Sequence, residues 1–343
     1  MTIKDQVLAG VFEGEGKFSL KQVPAPKIEK PNQVLLKVLC ASICGTDIQI
    51  LKVPPGHPAN PGVILGHEYV GEVVEVGSEC SFLRPGDWVA VDPNIPCGCC
   101  WYCQNGQHNM CANMTTLGIF IDGGFAEYNV APESQLYKFS KELKPEYAVF
   151  AEPLSCVLNA FRKIRPSPGE NVLVLGAGPI GQYFIQLSRL SGAGRIFVSE
   201  PMEMRRRLAE ESGADFIVNP EKEDLLEVVF SHTLQGVEVV IDAVGTLADL
   251  CIKVCARGGR ILLFGQNQQA RAQIAQNDIT RKELSIFGSY IALHTFPEAI
   301  RILESKKLKL DHLITHRLHL KDIEQGFSVM REAKALKVII FPK

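Results

Sequence analysis

The stretch Val172-Leu-Val-Leu-Gly-Ala-Gly-Pro-Ile-Gly181 decides how the second half of this chain folds. Val172–Leu175 is apolar without alternation, as expected of a strand buried on both faces. Gly176, Gly178 and Gly181 follow it directly, and Ile180 to Leu190 then has the helical period. A glycine turn between strand and helix brings backbone N–H groups and the positive end of the helix close to a pyrophosphate. Glu200 closes the next apolar run, Ile196–Ser199, where a carboxylate accepts hydrogen bonds from an adenosine ribose and repels a 2′-phosphate. Gly176, Gly178, Pro179, Ile180, Gly181 and Glu200 are therefore assigned to a dinucleotide site, with NAD as coenzyme. Arg205, Arg206 and Arg207 argue the other way, since arginine accommodates a 2′-phosphate. They lie in one helical pattern, Met202–Ser212, so at most one or two can face the ribose; Arg205 is assigned to the site.

Outward from this turn the same alternation continues. Strand-like runs recur at Phe216–Val218, Val237–Ile241 and Arg260–Phe264, with helical patterns between them. This spacing predicts an α/β fold with a doubly wound parallel sheet. Residues 1–153 have a different rhythm. Val34–Val38, Tyr69–Val76, Trp88–Val91 and Phe125–Val130 read as short strands bounded by Gly62, Gly66, Pro85-Gly86 and Gly123-Gly124. The expected domains are a β-rich unit at 1–153, the parallel-sheet unit at 154–290, and a tail at 291–343. The tail has helices near Phe296–Ser305 and Leu320–Ala333, and a last strand, Lys337–Ile340, that rejoins the first unit.

The β-rich half carries two clusters with ligand chemistry. Cys97, Cys100, Cys103 and Cys111 form a C-x2-C-x2-C-x7-C run in one loop. Four thiolates from a single loop converge on one tetrahedral ion and leave no open coordination position, which describes a structural zinc. Cys99 lies between two ligands and is read as a spare thiol. Cys44, His67 and Glu68 offer thiolate, imidazole and carboxylate, each beside a glycine-bearing turn, and Glu152 adds a second carboxylate. That mixed set suits a zinc with a free position for a substrate oxygen. Thr46, two residues past Cys44, is the candidate hydroxyl for accepting a substrate proton.

Composition narrows the partners. The 343 residues carry 36 Lys+Arg against 38 Asp+Glu, with no block of like charge, so neither nucleic acid nor an anionic membrane surface is expected. No apolar run reaches membrane-spanning length, and Met1-Thr-Ile-Lys-Asp-Gln6 is polar where a signal peptide requires an apolar core. The eleven cysteines are odd in number and five of them sit in the clusters. Reduced thiols and a cytoplasmic location are the expectation.

These motifs together resemble the zinc-dependent medium-chain dehydrogenases, and within them the sorbitol (polyol) dehydrogenase branch. The resemblance covers nearly the whole chain: Cys44-Gly45-Thr46-Asp47, Gly66-His67-Glu68, Pro85-Gly86-Asp87, the cysteine loop, Glu152-Pro153-Leu154 and the glycine turn. It implies a GroES-like catalytic domain and a Rossmann coenzyme domain with the active site in the cleft between them. It also implies a catalytic zinc on Cys44, His67 and Glu68, with Glu152 ligating directly or through water, and a homotetramer. The implied reaction moves a hydride from the secondary alcohol of a polyol or sugar-derived substrate to NAD. The alternative is a sugar-acid or L-threonine-type dehydrogenase on the same scaffold. Three positions depart from common family patterns. Gln49 stands where many members have a relay histidine, and Tyr290-Ile291-Ala292 lacks the arginine of polyol dehydrogenases. Asp92-Pro93-Asn94-Ile95-Pro96 lacks the histidine usual in threonine dehydrogenases.

Overall fold

In a computed structural model, residues 4–342 are described. The chain divides into two compact units, one formed by the residues up to Ser155 together with those from Leu293 onward, the other by Cys156–Ala292.

The second unit is a six-stranded sheet in the spatial order Phe216–Val218, Ile196–Ser199, Val172–Leu175, Val237–Asp242, Cys255–Leu263, Ser285–Gly288. Every neighbouring pair is parallel. This is the Rossmann arrangement. Val172, Leu173, Val174 and Leu175 are fully buried, as a central strand covered on both faces requires. Burying each such side chain contributes about 1.5–3 kcal/mol. The strand order reverses beside Val172–Leu175, which puts the glycine turn at the switch point where doubly wound sheets bind ligands. One strand is longer than its sequence pattern suggested. It starts at Cys255 instead of Arg260, because Cys255 pairs with Val237 across a bulge in the ladder.

The first unit is β-rich and built on a seven-stranded sheet. The strand Gln33–Ile43 is its centre, pairing antiparallel with Glu68–Val76, with Tyr128–Pro132 and with the C-terminal strand Lys337–Phe341. The tail thus supplies a strand beside the middle of the sheet. Two features were not legible in the sequence pattern. The hairpin Gln6–Gly14/Lys17–Pro24 covers one side of the core, its two strands paired antiparallel. The strand expected at Phe125–Val130 begins only at Tyr128. Phe125 is instead drawn inward, where its N–H donates to Leu65 O at 2.9 Å and its ring meets Phe327 edge-on at 6.1 Å.

The helix Pro179–Leu190 packs so closely on its strand that a Cβ added at Gly181 would lie 2.0 Å from Gly176 O. Backbone cannot withdraw from such a contact, so Gly181→Ala is expected to destabilise the protein by about 1–3 kcal/mol. Thermal unfolding of wild type and variant checks this; an unchanged melting temperature would contradict the packing.

Candidate metal centres and coenzyme turn

The cysteine loop is held by local geometry. The short helix Trp101–Gln104 carries Cys103, with Cys100 at its N-cap, and a single 3-10 turn ends at Cys111. The sulfurs of Cys97, Cys100, Cys103 and Cys111 all lie within 4.8 Å of one another, with Cys100 Sγ 3.6 Å from Cys103 Sγ and 3.9 Å from Cys111 Sγ. A tetrahedral zinc with Zn–S bonds of about 2.3 Å separates its sulfurs by about 3.8 Å, so the four fit one ion. Backbone N–H groups of Cys99 and Cys100 lower the Cys97 thiol to about 6, and those of Cys103 and Ala112 lower Cys100. Backbone N–H groups thus favour the charged form of two of the four sulfurs. Burial, with its sulfur neighbours, pushes Cys103 up to about 12. Cys99 is exposed, its sulfur 3.8 Å from Cys97 Sγ, and it lies beside the four-sulfur group instead of in it.

The mixed cluster is assembled from three distant segments. Cys44 is the N-cap of the helix Gly45–Ile50, and its N–H donates to Asp47 Oδ2 at 2.8 Å. His67 and Glu68 stand at the start of the strand Glu68–Val76, immediately after Gly66. Gly66 has φ +91°, and a Cβ there would meet the Phe125 ring at 2.6 Å, so only glycine allows this turn. Ligand atoms of Cys44, His67 and Glu68 fall within 4.8 Å of one another. Thiolate, imidazole and carboxylate at that spread can hold a zinc ion and leave a fourth position open. Glu152, in the first turn of the helix Ala151–Ile164, lies outside this close group. It still feels the group: burial, then the Glu68 charge, pushes its carboxyl up to about 7.

Three partners of this cluster were missed by motif reading. Asp47 Oδ1 lies 3.5 Å from His67 Nδ1 and is fully buried, a carboxylate beside the imidazole of the kind that holds such a ring in place. Glu68 Oε2 accepts hydrogen bonds from Ser42 Oγ and from the Lys337 ammonium, both buried. Lys337 also sits 5.8 Å from the centre of the Phe150 ring. Burial pushes the Glu68 carboxyl up, but the Lys337 charge and those hydrogen bonds prevail and hold it below the usual range. For His67, burial disfavours the charged form, yet Cys44 and Asp47 overrule it and hold the imidazole well above its ordinary value. For Cys44, burial and the Glu68 charge raise the thiol. Lysine inside the apolar run Leu336-Lys-Val-Ile-Ile340 was the available signal, since lysine is almost never buried without a partner.

In the second unit, Gly176 has φ +89° and Gly178 caps the helix Pro179–Leu190. The buried Glu200 carboxylate accepts from Ala177 N at 2.8 Å and Met202 N at 3.0 Å. The three arginines separate cleanly. Arg206 donates to the carbonyls of Glu200 and Pro201, and Arg207 pairs with Glu203. Arg205 alone turns toward the glycines, its Nη1 3.8 Å from where a Gly178 Cβ would be. Its Nε is buried without a hydrogen-bond partner. An open glycine cradle beside an unmatched guanidinium fits an anionic dinucleotide.

Known proteins agree with this chemistry. Residues 30–141 match the alcohol dehydrogenase GroES-like domain and residues 179–305 the zinc-binding dehydrogenase domain. The chain belongs to the zinc-binding dehydrogenase family and is an alcohol-type dehydrogenase of its medium-chain class. It is 38% identical to an L-threonine 3-dehydrogenase of Pyrococcus horikoshii over 94% of this chain and 95% of that one. It is 31% identical to D-arabinitol dehydrogenase 1 of Uromyces fabae, covering 99% of each. Among solved structures, a zinc-binding dehydrogenase from Sinorhizobium meliloti 1021 bound to NADP superposes with TM-score 0.94 and 34% identity, covering 99% of this chain and 100% of that one. An alcohol dehydrogenase from Escherichia coli CFT073 complexed with NADH gives TM-score 0.92 and 30% identity, covering 98% and 100%.

Removing one partner of a buried ion pair leaves the other charge uncompensated. Lys337→Met is therefore expected to weaken zinc binding at the mixed cluster by about 10–100-fold, with the four-cysteine cluster still loaded. Competition with a graded chelator, read as zinc per chain, checks this. Equal retention of zinc by variant and wild type would remove Lys337 from the site's support.

Proposed function

We propose that this protein oxidises the secondary alcohol of a small polar substrate, with L-threonine and related 3-hydroxy amino acids as the substrate class and NAD as the coenzyme. The observation that carries the reaction is the convergence of Cys44, His67 and Glu68, three donors with room for a substrate oxygen. A zinc ion held there supplies Lewis acidity that makes an alcohol acidic near neutral pH. The surrounding residues keep that arrangement. Asp47 orients the His67 ring, and Ser42 and Lys337 hold one oxygen of Glu68, leaving the other unengaged by them. Thr46, in the helix that begins at Cys44, is the hydroxyl that takes the substrate proton. Gln49 cannot serve as a base, so the proton passes from Thr46 toward solvent. Glu152 is a carboxylate near the ligand set that ligates directly or through water.

The substrate reading rests on the identity to the P. horikoshii enzyme over nearly the full length of both chains. A polyol is the second reading, and two observations favour it: the D-arabinitol dehydrogenase relative and the absence of a histidine from Asp92–Pro96. NAD is favoured because Glu200 is buried at the strand end, where a 2′-phosphate would face its charge, and because two of the three nearby arginines are engaged elsewhere. Assembly is proposed to be a homo-oligomer, with a tetramer favoured. The strand Ser285–Gly288 is an outer edge of its sheet and exposes Ser285 and Ile286, so a second copy can pair with it. All eleven cysteines are free, in keeping with a reducing, cytoplasmic setting.

L-Threonine, D-arabinitol, other alditols and sugar acids, each monitored by NADH formation, test the substrate. The highest kcat/KM is expected with L-threonine; activity confined to alditols would establish the second reading, and none with any secondary alcohol would overturn both. Metal analysis is expected to give about two zinc ions per chain. For the coenzyme, kcat/KM is expected to be at least about tenfold higher with NAD than with NADP. Equal efficiency would mean that Arg205 outweighs Glu200.

A further inference from the structure

Gln182 is fully buried in the helix Pro179–Leu190, beside the equally buried Tyr183, Phe184 and Ile185. Its side chain reaches back to the glycine turn that precedes its own helix. Nε2 donates to Ala177 O at 3.0 Å and to Arg205 O at 3.4 Å. Oε1 is buried and has no hydrogen-bond partner among the described residues. A buried amide with its acceptor unmatched costs stability, and an apolar side chain of similar size would fill the space without that cost. Packing alone therefore does not explain a glutamine here; its donor side does.

The bond to Ala177 O fixes the plane of the peptide that joins Ala177 to Gly178. That peptide is trans, so its carbonyl and its N–H point in opposite directions. Ala177 is buried with its carbonyl turned inward to Gln182, which turns the Gly178 N–H outward. Gly178 is half-buried, and a Cβ built on it would meet nothing within 4 Å except Arg205 Nη1, at 3.8 Å. The preceding peptide is held as well, since Ala177 N donates to Glu200 Oε2 at 2.8 Å. With glycine at 176 and 178, the backbone itself resists a peptide flip only weakly. A flip at Ala177–Gly178 would aim a carbonyl oxygen, in place of a donor, at an approaching phosphate.

We propose that Gln182 is a positioning residue for the dinucleotide: it locks the Ala177–Gly178 peptide so that the Gly178 N–H faces the pyrophosphate. The inference rests on the dinucleotide reading of the glycine turn and holds whether the coenzyme is NAD or NADP. Fluorescence titration of the zinc-loaded protein with NADH and NADPH, and competition by ADP-ribose, test it in wild type, Gln182→Met and Gln182→Leu. Both variants remove the donor and keep an apolar side chain of similar volume. Each is expected to weaken the dinucleotide that wild type binds by about 5–10-fold, as loss of one oriented hydrogen bond to a charged group does. ADP-ribose, which has the pyrophosphate but no nicotinamide, should weaken by the same factor. The coenzyme KM should rise in step, with kcat at saturating coenzyme within about twofold of wild type. Melting temperatures without coenzyme should stay within about 3 °C of wild type. Wild-type affinity in both variants would overturn the proposal. So would a lowered melting temperature and kcat with unchanged Kd, the pattern of a residue that only supports packing. Wild type that binds neither dinucleotide would instead overturn the coenzyme reading, and this inference with it.

Discussion

The architecture of the catalytic half is organised around one buried charge. Glu68 lies where water hardly reaches, and an isolated carboxylate there would simply take up a proton. Lys337 prevents this by burying an ammonium against it, with Ser42 satisfying a further lone pair. These partners come from adjacent strands of one sheet: Ser42 stands opposite Glu68 in one ladder and opposite Ile339 in the next. The sheet order therefore brings the pair together, on the strand with which the tail returns to the first unit. A buried ion pair is weak evidence of net stability, because desolvation offsets most of the attraction. Its value here is positional: with Ser42 it ties one carboxylate oxygen, Oε2, and so fixes how the Glu68 side chain is held.

The two thiol-bearing clusters contrast in how they could be read from the sequence. The four-cysteine loop is local, so residue spacing alone implies its geometry, and the sulfur separations match what a tetrahedral ion requires. The mixed cluster is built from remote segments, and spacing says nothing about whether Cys44 meets His67. Motif context supplied that meeting; only the fold supplies Asp47, Ser42 and Lys337. Charged residues that support a site from another strand follow no periodic pattern, and a single lysine in an apolar run is easily taken for the edge of a strand.

The same division runs through the fold. The Rossmann unit was legible because its strands are continuous apolar runs, each followed by a helical period and, at Gly176, by a turn with one physical purpose. The β-rich unit was legible only in part. Its opening hairpin alternates weakly, and Phe125 lies in a segment whose inward turn depends on contacts with Leu65 and Phe327, both far away in sequence. The arginine trio shows the limit in miniature. Helical spacing allowed one or two of the three to face the glycines, and the choice of Arg205 is made by carbonyls at Glu200 and Pro201 and by the carboxylate of Glu203.

The separation of Glu68 from Lys337 also has a consequence in time. The two residues are 269 positions apart, and a ribosome adding about 5–20 residues per second makes them roughly 13–54 s apart. During that interval the nascent first unit has Cys44, His67 and Glu68 but lacks the counter-charge and the strand that hold Glu68 in place. The whole coenzyme unit is synthesised meanwhile, and its parallel sheet needs nothing from the tail to close. The cysteine loop likewise contains all four of its sulfurs early. Birth order thus ranks the three centres: the closed thiol cluster can form first and the nucleotide fold second, while the mixed cluster, where the alcohol would react, is the last to be completed.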